Sequence, residues 1–289
     1  MEMRKCMSIA VVVLLSLWMI VPVASSERPT TSGILVQDEV WRGNIGVTGD
    51  VVIPEGITLV ILAGTAITFA PNHSDYDARL PLPGDLGGGK CNLLVQGNLR
   101  IEGEKDRVVT VGDLVYDLET QSQINWGGII FEGVNAVSIV RYAKIRYADV
   151  AIVCVGSSSP RIVNNTITEN DVGVMTFGFS SPRINENQIH HNTLWAVSCY
   201  DYSFPIISKN IITANLVGIG SQDFSFPTIS YNTLSDNEVG ILLQDSSGSS
   251  ILKNYFQNNT QRLQGDCESR KWNFLRPFLK KYLSLVVTR

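Results

Sequence analysis

The sequence predicts an all-β chain wound as a parallel β-helix. Three observations carry that prediction: a fixed repeat, strand-like segments inside it, and two columns of asparagine. From Ser138 to about Leu263 the chain repeats P-x-I-x-x-N-x-I-x-x-N followed by V-G-V. The proline column is Pro160, Pro182, Pro205 and Pro227, with Ser249 in the fifth place. The first asparagine column is Asn165, Asn187, Asn210, Asn232 and Asn254, and the second is Asn170, Asn192, Asn215, Asn237 and Asn259. The steps are 22, 23, 22 and 22 residues. A period of this size implies one supersecondary unit stacked on itself. The segments between breaks are short, β-branched and alternating, which suits strands. Helical repeats use longer units, and the leucine ladder of leucine-rich repeats is absent. One 22-residue unit with two or three short strands therefore makes one rung of a solenoid.

Within a rung each position has a task. Ile162, Ile184, Ile207, Ile229 and Leu252 form one inward column, and Ile167, Ile189, Ile212, Leu234 and Phe256 form another. Equivalent residues stack at the inter-strand spacing of about 4.8 Å. Each buried side chain contributes roughly 1.5–3 kcal/mol before entropy is subtracted. A third motif, V-[GA]-[VI], recurs at Val150, Val172, Val217 and Val239, with Trp195-Ala196-Val197 as a variant. This places the extra residue of the 23-residue step between Asn192 and Trp195. The asparagines are expected to turn each corner in the left-handed conformation that Asn tolerates. They are also expected to hydrogen-bond along their columns.

The pattern P-x-I-x-x-N-x-I-x-x-N-x-x-G-[IV] resembles the repeat of the right-handed parallel β-helix proteins of the pectin-lyase-like superfamily. The resemblance extends upstream through Gly56–Phe69, Leu94–Gly103 and Trp126–Phe131, so it covers roughly residues 33–263. It implies a right-handed solenoid. It does not imply one activity, because the superfamily holds lyases, hydrolases, epimerases, esterases, adhesins and non-enzymatic surface modules.

In chain order, residues 1–26 read as a secretory signal. Arg4 and Lys5 make the positive start, Ile9 to Val21 the apolar stretch, and Val23-Ala24-Ser25 the cleavage site. The alternative is an uncleaved membrane anchor. Residues 27–137 hold an N-terminal cap and the first rungs, with 33–70 expected to form the first rung and the cap. Loops leave the wall at 71–90 and 112–125. Residues 138–264 are the regular repeats. Residues 265–289 break the period and are expected to form a C-terminal helical cap over the open end, kinked or restarted at Pro277. Cys154 and Cys199 occupy one column two rungs apart, too far for a disulfide. They read as buried free thiols.

Composition narrows the function. A net charge of −4 with 17% charged residues gives no basic footprint for nucleic acid. The loop carboxylates Asp75 and Asp77 are weak candidates for calcium; their spacing matches no EF-hand, and solvated acidic loops explain them as well. There is no paired Asp-Asp on one rung, no G-H-G and no D-H dipeptide of the kind the resemblance associates with catalysis. His190 and His191 fall in a variable turn position. Arg161, Arg183 and Lys209 are single basic residues on the wall. One stripe stands out. Four residues before the proline column lie Gly156, Gly178, Asp201, Asp223 and Asp245, flanked by Tyr200, Tyr202, Gln222 and Phe224. Aromatic faces stack on sugar rings, and carboxylates and amides bond their hydroxyls. Tyr200, Asp201, Tyr202, Gln222, Asp223, Phe224 and Asp245 are therefore the expected glycan-binding face; ordinary turn and core chemistry is the competing account. Two functions follow: an exported, monomeric module that binds a polysaccharide or cell-surface glycan or acts as a structural spacer, or a polysaccharide hydrolase or lyase working through the three aspartates. Membrane contact is expected only through an uncleaved signal or the C-terminal cap.

Overall fold

A computed structural model of the chain describes residues 29, 31–70, 90–112, 115–117, 122–124, 126–134, 137–244 and 247–265. Three parallel sheets run along it. The first sheet has ten strands, from Gly33–Ile34 to Gln261–Gln264. The second has nine, from Glu39–Trp41 to Ser250–Leu252, and the third nine, from Asn44–Val47 to Tyr255–Gln257. The chain visits them in that order on every turn, which gives nine rungs and a final strand, about 40 Å at the strand spacing. The fold is the right-handed parallel β-solenoid. Residues 33–69 form two rungs rather than one; the early strands lack the P-x-I-x-x-N punctuation, so their period is not visible by eye. An antiparallel hairpin, Val115–Asp117 with Ser122–Ile124, falls between the third and fourth rungs. No helix occurs among the described residues, and the expected C-terminal cap lies outside them.

The register is that of the repeat. Ile162, Ile184, Ile207 and Ile229 are successive partners. The fifth place belongs to Ile251, not Leu252. Leu252 faces outward and is 57% exposed, because inward parity continues two residues after Ser249 whether or not a proline stands there. Thr168 pairs with His190 at a step of 22, while Val172 pairs with Trp195 at 23. Asn170 still bonds Asn192. The extra residue is thus accommodated between Asn192 and Trp195.

Both asparagine columns are hydrogen-bonded ladders. Nδ2 of each Asn donates to Oδ1 of the next, at 2.9–3.0 Å along each column. That Oδ1 also accepts the backbone N–H of the Asn one rung back. Nδ2 donates in addition to the carbonyl of an inward residue, such as Val140, Ile162 or Ile184. The expectation that these asparagines themselves take the left-handed conformation is corrected. The residue just before each one does so: Asn164, Glu186, Lys209, Tyr231 and Lys253 in one corner, Glu169, His191, Ala214, Asp236 and Asn258 in the other. The Asn side chain must point inward to bond along the axis, so the turn falls on its predecessor. Left-handed non-glycine residues cost of order 1–3 kcal/mol each, which the buried ladder offsets.

The lumen is one continuous apolar cluster from Leu35 to Ile241. Cys154 and Cys199 sit in it on either side of Thr176, free and fully buried. Burial pushes both thiols up, Cys199 to about 12. Cys91 is also buried, its thiol donating to the Ala70 carbonyl; Cys267 lies outside the described residues. A second apolar cluster covers the outer face of the first sheet. It includes the column Val52, Leu94, Ile130, Val153, Met175 and Leu242, none more than 7% exposed. The last rung is open: Leu263, in register with the core residue Ile241, is 55% exposed.

Candidate functional site

The corner between the first and second sheets carries the candidate site. On the rung of Trp195–Cys199 the strand is followed by Tyr200, Asp201, Tyr202 and Ser203, and the Ser203 N–H donates to the Tyr200 carbonyl. Asp201 and Tyr202 have φ of 44° and 57°, and on the next rung Asp223 and Phe224 have 45° and 57°. Two successive positive φ values under a closed four-residue turn define a type I′ turn. The seryl column anchors this corner from within. Ser203 Oγ accepts from Thr176 Oγ1 at 3.1 Å, and Ser225 Oγ accepts from the Gln222 N–H at 3.1 Å and donates to the Cys199 carbonyl.

The anchored turn turns the next side chains out. Phe179, Tyr202 and Phe224 stack on consecutive rungs, with ring centroids 6.0 and 5.6 Å apart and interplanar angles of 22° and 9°. Two residues on, Phe204 and Phe226 form a second ladder at 5.7 Å and 11°. All five rings are exposed, from 42% at Phe226 to 68% at Phe179. The second ladder was not foreseen. Its signal was present in the residue before each proline, which reads Ser159, Ser181, Phe204, Phe226 and Gly248.

The predicted stripe is thus divided. Tyr202 and Phe224 lie on the exposed face, with Asp201 and Asp223 between strand and ring. Tyr200 and Gln222 do not join them. They are 7% and 3% exposed, because the strand parity Val197 in, Ser198 out, Cys199 in puts the next residue on the covered outer face of the first sheet. Burial pushes the Tyr200 phenol far above its ordinary range. Gln222 Nε2 is a buried donor without an acceptor. Asp245 lies outside the described residues, as do Asp75 and Asp77. Asp201 and Asp223 share their column with Gly156 and Gly178, which also have positive φ; the aspartates are residues a left-handed turn accepts.

Elsewhere, Nδ1 of His190 lies 2.9 Å from Nδ1 of His191 and 3.2 Å from Thr168 Oγ1. Partial burial, then His191, holds His190 below the usual imidazole range. Lys209 pairs with Glu186 at 3.7 Å on the exposed wall, while Arg161 and Arg183 are exposed register partners. Among the described residues no group of three or more His, Cys, Asp or Glu could hold a metal ion. Among them, too, no helix is long and apolar enough to cross a membrane.

Residues 120–263 match the family model described as "Right handed beta helix region". That stretch covers the regular repeats and the corner with both aromatic ladders. The chain has the right-handed parallel β-helix fold, consistent with the pectin-lyase-like superfamily, a fold used by structural and adhesive proteins and by carbohydrate-active enzymes alike. No curated protein and no solved structure matches the chain.

Proposed function

We propose that this chain is an exported carbohydrate-binding module whose contact surface is the pair of aromatic ladders at the corner between the first and second sheets. The observation that carries the reading is five exposed, stacked rings on consecutive rungs, three of them in the Phe179–Tyr202–Phe224 ladder. Aromatic faces take up the apolar faces of sugar rings, and the rung spacing of about 4.8 Å is close to a sugar-unit repeat. Asp201 and Asp223 supply acceptors beside the rings. In this reading the polypeptide leaves the cell under the direction of residues 1–26 and works as a monomeric rod.

Binding is favoured over hydrolysis. Turn geometry alone accounts for Asp201 and Asp223, since glycine fills the same place on two neighbouring rungs. The test is a glycan array probed with Tyr202→Ala, Phe224→Ala and Phe204→Ala, and with Tyr231→Ala, an exposed aromatic at a different corner, as control. Each ladder variant should weaken binding roughly tenfold, about 1.4 kcal/mol, with its thermal melt unchanged, while the control binds normally. Folded ladder variants that bind as well as the wild type would remove the proposal. Release of reducing ends that disappears in Asp223→Asn would replace it with the enzyme reading.

A further inference from the structure

The outer face of the first sheet is built differently from the other two walls. Outward residues of the second and third sheets stand in solvent, as Ile206 at 41% and Ile211 at 51% exposure show. The first sheet instead presents Val52, Leu94, Ile130, Val153 and Met175 on consecutive rungs, then Ser198, Gly220 with the Trp195 ring against it, and Leu242, and the side chains of this column are buried. Strand contacts among the described residues run chiefly between neighbouring rungs, and the ten strands of this sheet pair only with one another. The column spans eight strands, or seven steps, about 34 Å at the strand spacing.

We propose that this face is the docking site of the chain's own C-terminal segment, residues 266–289. That segment follows Gln264, which ends the last strand of the same sheet, so it starts where the face ends. Its 24 residues reach about 36 Å as a helix kinked or restarted at Pro277, the length of the face. Trp272, Leu275, Leu279, Tyr282 and Val286 recur at spacings of 3, 4, 3 and 4, one apolar stripe of a helix. Lys280 and Lys281 fall off that stripe, and Lys271 stands at its edge, one turn before Leu275. The open end of the solenoid is not its site, because Leu263 remains 55% exposed there. The N-terminal apolar stretch is a poorer occupant: it is apolar on all sides, and an exported chain loses it. Residues 71–89 and 113–125 are joined at both ends to the second to fourth rungs, whereas Met175 and Leu242 lie well beyond. The proposal stands apart from the glycan reading and fails or holds without it.

Met175 reports on this directly. It is the only methionine after residue 26 and belongs to the covered column. Peroxide converts an accessible methionine to its sulfoxide, which peptide mass spectrometry counts. The chain beginning at residue 27 should oxidise slowly at Met175. Leu275→Asp/Leu279→Asp in that chain, and a chain ending at Gly265, should oxidise at least tenfold faster while keeping a β circular dichroism spectrum. Should the shortened chain fail to fold, the double substitution carries the test. Rapid oxidation in the unmodified chain overturns the proposal. So does protection that survives both variants, protection lost on dilution (which assigns the face to a second copy), or protection present only while residues 1–26 are attached.

Discussion

Replacing Asn210 with alanine tests the ladder as the element that holds the rungs in register. Asn210 Oδ1 accepts the Asn187 N–H at 2.9 Å and Asn187 Nδ2 at 3.0 Å. Its Nδ2 donates to the Ile184 carbonyl and to Asn232 Oδ1, both at 2.9 Å. Alanine removes all four. Two of the partners keep others: Asn187 Nδ2 still reaches the Ile162 and Asn185 carbonyls, and Asn232 Oδ1 still accepts the Asn210 N–H. The Asn187 N–H and the Ile184 carbonyl lose these contacts in a dry interior. Each such loss costs about 1–3 kcal/mol, so Asn210→Ala should destabilise by about 2–6 kcal/mol in urea titration read by linear extrapolation. Asn254→Ala is the comparison. It removes the acceptor of the Asn232 N–H, but its site on the last rung is only partly buried, and water can replace it. Its cost should be less than half as large. If Asn210→Ala costs under about 1 kcal/mol, or no more than Asn254→Ala, the ladder is ornament and the apolar columns alone hold the register.

Two further outcomes are expected. Ile207 is fully buried between Ile184 and Ile229, so Ile207→Asp should abolish soluble folding or cost more than about 4 kcal/mol; a well-folded variant would show the inward column to be misassigned. His190 has a lowered pKa in the fold, so the unfolded chain takes up its proton first, near pH 6.5. The stability this residue confers in neutral form is present above that pH and lost as pH falls. The thermal midpoint should therefore drop from pH 7 to pH 5 by less in His190→Thr, which restores the threonine of Thr168 and Thr213, than in the wild type. Equal drops would mean that His191, Glu169 and Lys144 leave His190 unperturbed.

The repeat was legible because the lumen tolerates few residue types at each place. An inward column accepts only apolar residues of similar size, and a ladder position accepts only a side chain with both a donor and an acceptor, so identity recurs at fixed spacing from Asn165 to Asn259. The upstream rungs were counted one short because they run from Gly33 to Phe69 without that ladder, held by glycine turns at Gly43, Gly56 and Gly64. The corner conformation was misplaced for a related reason. Left-handed positions are filled by Asn, Glu, Lys, Tyr, His, Ala and Asp in turn. The constraint there is on the backbone, so no recurring side chain marks it.

The predicted stripe divides for one specific reason. Three adjacent columns were taken to share a face, although a strand alternates and a type I′ turn then reverses the chain within two residues. Residue 200 still belongs to the strand's outward parity, and residue 202 already belongs to the corner. Counting from the inward Val197 and Cys199 would have assigned Tyr200 and Gln222 to the outer face of the first sheet and left Tyr202 and Phe224 alone in solvent. The same count places Val153, Met175 and Leu242 on that face, with Ser198 and Gly220 between the last two, a more apolar outer wall than solvent alone would favour. The aromatic corner and the covered face are therefore consequences of one alternation. Covering the first sheet leaves the second and third walls, and the corner where the rings stack, as the surface available to a ligand.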